Sequence, residues 1–131
     1  MFLLCSSAFD SNLYVTISMQ LTVVEYVRKD GSNPYRTWFE RLPAQAAAKV
    51  ATAAFRLEMG NTSSVKWIGV IGEYLLIGAR AIIYLARDGD AMIILLGGGT
   101  KKGQQNDIVR AQALWAEYKL RKAAAKPKGR N

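Results

Sequence analysis

Apolar positions repeat along this chain with two different periods. Tyr35, Trp38, Phe39 and Leu42 recur at i, i+3, i+4 and i+7, which is one face of a helix. Pro34 suits its first position, with Asn33 or Ser32 as the cap that ends the turn Lys29-Asp30-Gly31-Ser32-Asn33-Pro34. Pro43 separates that helix from an alanine-rich second one over Ala46 to Gly60, with Ala47, Val50, Ala51, Ala54 and Leu57 as its buried stripe. Gly60 ends it as the C′ residue. Ahead of both, Val23 to Val27 is short and β-branched and reads as a strand.

Three apolar stretches follow, Val65 to Val70, Tyr74 to Leu85 and Ala91 to Leu96, and their β-branched content predicts strands. Asp88-Gly89 sits between the last two as a hairpin turn. A final helix is predicted from about Gln104 to Lys122, with Ile108, Ala111, Trp115 and Tyr118 packing one face into the core. The order is βαα-βββ-α without an internal repeat. It implies an α/β (α+β) domain in which a mainly antiparallel twisted sheet carries the helical hairpin on one face. Trp38, Phe39, Val50 and Ala54 are expected to be buried there.

Composition narrows the chemistry. The 131 residues are half hydrophobic, enough for one domain with a single core. Residues 19–122 are read as that domain. Residues 1–18 read as an upstream extension outside the fold, because Met1-Phe2-Leu3-Leu4-Cys5 is too short and lacks the cationic start of a secretory signal. No stretch has the length of a membrane span, so a cytoplasmic location is expected. The net charge is +8, and Lys119, Arg121, Lys122, Lys126, Lys128 and Arg130 follow Glu117 with no acid among them. Residues 123–131 read as a disordered basic tail, and the charge favours RNA, ribosome or DNA partners. Cys5 is the only cysteine and histidine is absent. That removes an internal disulfide, Cys/His metal clusters, and Ser-His or Cys-His nucleophiles. No metal or cofactor is expected.

The densest signal is Leu96-Gly97-Gly98-Gly99-Thr100-Lys101-Lys102-Gly103-Gln104-Gln105-Asn106-Asp107-Ile108. A glycine-rich turn with two lysines between a strand and a helix can present N–H groups and cations to a phosphate. It is no Walker loop, since the G-x-x-x-x-G-K-[ST] order is absent.

This segment resembles the "GG-x-K…Q…DI" part of small RelE/ParE-type toxins, the HigB-like "addiction module killer" group. Other parts occur in the family's order from Leu21 to Lys119: Leu21 to Val27 as first strand, Trp38 to Leu42, Arg56 to Asn61, Val65-Lys66, and Arg87-Asp88-Gly89-Asp90. The resemblance implies a ribosome-dependent messenger-RNA endoribonuclease. In it a 2′-hydroxyl attacks the adjacent phosphate and basic side chains stabilise the phosphorane without a metal. It further implies a cognate helix-turn-helix (HigA-like) antitoxin. Arg80, Lys66, Tyr84 and Lys101 are the catalytic candidates, and Arg87, Lys101, Lys102 and Gln104 the RNA-binding ones. Lys66 and the Lys101/Lys102 pair are expected to form one cationic patch. ParE-like relatives poison DNA gyrase instead, and a degenerate toxin would survive as an antitoxin-binding module. The chain departs from the family over Tyr74 to Tyr84, which is about three residues shorter than the family pattern and lacks its two arginines. Ile77-Gly78-Ala79-Arg80-Ala81-Ile82 is what codons for Asp-Trp-Gly-Pro-Gly-Tyr give one base out of frame. Compensating frameshifts and an attenuated nuclease are therefore expected, with Arg80 an accidental replacement.

Overall fold

A computed structural model of the protein describes residues 20–126. The expected extension at 1–18 and the tail beyond Lys126 lie outside the described residues. Strand β1 (Thr22–Glu25) leads to helices α1 (Pro34–Glu40) and α2 (Ala44–Glu58). Strands β2 (Val65–Ile68), β3 (Ile71–Leu76), β4 (Ala81–Asp88) and β5 (Met92–Gly99) follow. A 3-10 turn (Lys101–Gly103) then opens helix α3 (Gln104–Ala125).

Local chemistry sets these boundaries. Asn33 caps α1 by accepting a hydrogen bond at Oδ1 from the Arg36 N–H (2.9 Å), with Pro34 at the first position. Gly60 takes φ +89° after α2. Its N–H bonds the Leu57 carbonyl and the Asn61 N–H bonds that of Arg56, the two links of a Schellman ending.

The sheet runs β1-β5-β4-β3-β2, with β1 parallel to β5 and the other pairs antiparallel. β4 and β5 are central and covered on both faces, which is why they read as continuous apolar runs rather than alternating ones. On one face α1 and α2 pack Tyr35, Val50 and Leu57 against Ile83, Leu85, Ile93 and Leu95. On the other α3 packs Ile108, Leu114 and Trp115 against Ile82, Tyr84, Ile94 and Leu96. Val50 is fully buried, while Trp38, Phe39 and Ala54 are half-buried. The stripe of α2 runs through Val50, Ala53 and Leu57, and Ala51 is exposed: alanine spacing alone does not fix the phase of a helix this rich in alanine.

Three further expectations change. The stretch Tyr74 to Leu85 is not one strand; it is the end of β3, a turn at residues 77–80, and the start of β4. Gly78 at φ +92° turns the chain, and Arg80 stands at φ +55°, a left-handed conformation that costs a non-glycine residue about 1–2 kcal/mol. Ile77 at the tip is 86% exposed. The stretch Val65 to Val70 supplies β2 and a two-residue hairpin, Gly69-Val70, with glycine at the first central position as a II′ turn requires. The final helix continues past Lys122 to Ala125, so the start of the expected tail is helical.

The glycine run is likewise strand, not turn. Gly97, Gly98 and Gly99 pair with Tyr84, Ile83 and Ile82, after a bulge that interrupts the register between Tyr84 and Leu85. A Cβ on Gly98 would stand 2.2 Å from the Trp38 ring, whereas one on Gly97 would meet nothing within 4 Å. Gly98→Ala is therefore expected to cost about 1–3 kcal/mol through overpacking under α1, and Gly97→Ala close to nothing. Urea denaturation of the two variants checks this, and equal losses would contradict it.

Candidate functional site

β1 pairs with β5 only as far as Glu25 opposite Leu95, and the Tyr26 N–H then bonds the Leu95 carbonyl (3.0 Å). Beyond Leu95 the outer edge of β5 has no strand beside it among the described residues. α1 and α3 flank this free edge from opposite faces. Trp38 of α1 packs on Gly98, and the Asp107 carboxylate of α3 lies over Gly99, where a Cβ would stand 2.0 Å from its oxygen. Between the helices lies a cleft of about 340 Å³ whose lining includes Trp38, Arg41, Tyr84, Gly97, Arg110 and Leu114.

Each wall is tied to the sheet. At the start of α1, Glu25 of β1 accepts from Asn33 Nδ2 (2.9 Å) and Arg36 Nε (3.1 Å), and pairs with Arg36 Nη2. At the start of α3, Gln104 Nε2 donates to Glu73 Oε2 (2.8 Å), while within the helix Arg110 Nη1 donates to Asp107 Oδ1 (2.7 Å). At its far end Asp88 accepts from Lys122 Nζ (2.8 Å) and from the Tyr118 hydroxyl. These two donors hold the Asp88 carboxyl below the usual carboxylate range, with Lys122 the larger cause.

Tyr84 is the unusual member of the cleft. It is 1% exposed, and its hydroxyl has no hydrogen-bond partner. Burial first, and then the nearby Glu73 and Asp107 carboxylates, push its pKa up to about 12. It therefore stays protonated at neutral pH and offers a donor. The register aligns Lys66, Glu73, Tyr84 and Gly97 across four strands on the α3 side. Glu73 is buried and Lys66 is exposed at the sheet's edge strand.

The sequence-derived candidates divide by place. Arg80, in the β3–β4 turn, and Lys101 and Lys102, after β5, are exposed at the same end of the sheet, because Ile82 pairs with Gly99. Gln104 bonds Glu73 on the α3 face, Lys66 is the register partner of Glu73, and Tyr84 sits in the middle of that face. Arg87 is not brought to them: it lies at the other end of β4 and donates from Nη2 to the Asp90 carbonyl (3.0 Å). Gly97 to Gly99 take strand conformation and pair with β4, so the turn between β5 and α3 is shorter than expected, a 3-10 turn at Lys101–Gly103 that carries both lysines. Sequence reasoning missed Arg41, Arg110, Glu73 and Lys49, whose Nζ lies 3.9 Å from the Cβ position of Gly78. Asp107 and Arg110, three apart on a helix, were a readable signal; Arg41 and Lys49 carried none.

Among the described residues no group of three or more His, Cys, Asp or Glu is placed to hold a metal ion. No described helix is long and apolar enough to cross a membrane.

Alkaline pH should loosen this arrangement. Tyr35, Tyr84 and Tyr118 are each pushed up to about 12, with burial the first cause in every case. Unfolded tyrosines lose their protons near pH 10. Between about 10 and about 12 the folded state thus binds more protons than the unfolded one, and stability falls as pH rises. Denaturation midpoints are expected to hold up to about pH 9 and then drop; a flat profile to pH 12 would contradict the burial of these hydroxyls.

No family model matches the chain. It is similar to an uncharacterized protein of Haemophilus influenzae (strain Rd), 30% identical over 89 residues that span 66% of this chain and 90% of that protein. With nearly the whole of that relative covered at this identity, the chain belongs to the same family as the Haemophilus influenzae protein.

Proposed function

We propose that this protein is the toxin of a type II toxin–antitoxin module, of the RelE/ParE kind and HigB-like. In this reading it cleaves messenger RNA on the ribosome and is held inactive by a HigA-like helix-turn-helix antitoxin. The observation that carries the reading is a set of cations at one end of the sheet. Lys49, Arg80, Lys101 and Lys102 are all exposed there, and none has a carboxylate partner among the described residues. The ordered family resemblance from Leu21 to Lys119 points the same way.

RNA cleavage through the 2′-hydroxyl needs positive charge on the phosphorane and a route for protons. Lys49, Arg80, Lys101 and Lys102 are the charges available at the sheet end, and Lys66 stands beside Glu73 on the α3 face. Glu73 is the buried carboxylate on that face, and Tyr84, protonated at neutral pH, is placed as a proton donor. Arg80 is mounted on a turn rather than a strand, next to an exposed isoleucine and in a left-handed conformation. That placement holds a guanidinium less firmly than strand pairing would. It supports a weak nuclease that still folds.

Induction of the chain in cells, with mapping of messenger-RNA 5′ ends, tests the reading. Growth arrest weaker than that of a version carrying the restored Tyr-Glu-Leu-Arg…Gly-Pro-Gly-Tyr-Arg segment is expected, with cuts inside translated regions. Equal arrest would contradict the attenuation. DNA damage without cuts would replace the ribonuclease with a gyrase poison. Separately, replacing Lys66, Lys101 and Lys102 with Ala should weaken ribosome binding and flatten its salt dependence, since fewer counterions are released. An unchanged salt slope would remove these lysines from the interface.

A further inference from the structure

We propose that the cleft between α1 and α3 binds one nucleotide unit, with its phosphate at Arg41 and Arg110 and its base over the open Gly97 backbone, beside the Trp38 ring. The choice of RNA as the source of that nucleotide rests on the toxin reading; the nucleotide chemistry comes from the cleft.

Four features converge. The Tyr84 hydroxyl is buried, lines the cleft and lacks a partner. A buried hydroxyl left unpaired is costly, and native proteins keep few of them. A ligand acceptor satisfies it, and its protonated state makes it a donor. The free edge of β5 past Leu95 gives the same cleft unpaired backbone N–H and C=O groups, the kind that read the polar edge of a base. Trp38 contributes an indole wall, and aromatic rings are the usual stacking platforms for bases. Arg41 and Arg110 stand at the rim, exposed, with Asp107 the single carboxylate lining the cleft. The local balance is positive, and guanidinium groups match phosphate through paired hydrogen bonds.

The alternative occupant is an extended peptide adding a strand to β5. The size argues against it. About 340 Å³ is near the lower end of small-ligand clefts, which run from about 300 to about 1,000 Å³. It accepts one nucleotide and is short for a strand of several residues.

The test is a titration of the full-length protein, following the Trp38 indole N–H by NMR. The probes are adenosine monophosphate, adenosine, inorganic phosphate, a short single-stranded RNA and an extended acidic peptide. Saturable shifts with the monophosphate are expected, and tighter ones with the RNA if the nucleotide is a unit of a strand. Arg41→Ala with Arg110→Ala should weaken the monophosphate at least ten-fold and adenosine little. Tyr84→Phe should weaken both several-fold, while urea denaturation shows stability kept or raised, because the hydroxyl it removes has no partner to lose. No saturable shift with monophosphate or RNA would overturn the proposal. Equal response to phosphate alone, or response to the peptide only, would also overturn it. Failed binding with growth arrest retained sinks the cleft and leaves the toxin reading standing. Binding without arrest or cuts does the reverse.

Discussion

Two helices approach the same short piece of strand from opposite sides. Trp38 settles on Gly98 and Asp107 settles over Gly99, each in space that a single methyl group would occupy. The closeness matters because protein interiors are packed as tightly as organic crystals and shift little to admit an extra carbon. With larger residues at these positions α1 and α3 would lift away from β5. The cleft between them would lose its walls, and Arg41 and Arg110 would lose their common rim. The remaining ties, Glu25 to Arg36 and Glu73 to Gln104, hold the helix starts but do not set how near the helices lie to the strand.

The pattern of apolar residues made much of this fold legible. α1, its asparagine cap, the Gly60 ending and the helical character of Gln104 onward all follow from local chemistry and were found where that chemistry puts them. The central strands were harder. β4 is buried on both faces, so its residues carry no alternation to mark where it begins, and the turn at 77–80 contains an isoleucine and an arginine in place of turn residues. The glycines misled for a related reason. Glycine marks a turn or a close approach with the same letter, and only the partner elements decide which. Lys101 and Lys102 were visible as a pair in sequence. Arg41 and Arg110 were not, because α1 and α3 come together only through packing on β5.

The division of charge follows from the same architecture. Glu25, Glu73, Asp88 and Glu117 each bond a side chain between a strand or its adjoining loop and a helix, and so dock α1 and α3. Of these only Glu73 is buried. The basic excess is left outward, on the β3–β4 turn, the 3-10 turn and the cleft rim. Where carboxylates are engaged in docking helices, the basic side chains left at the sheet end project a positive field without needing an unusual number of arginines and lysines there.

The parallel pairing of β1 with β5 has a consequence for synthesis. Thr22 lies opposite Met92, so the first strand must wait for the fifth, and every strand between them is made before β1 finds its neighbour. Contacts so distant along the chain form late, because a long loop has to close first. The edge of β5 and both helices that shape the cleft are complete only when α3 has also emerged. During translation the growing chain therefore lacks the cleft and its free strand edge until α3 has been made.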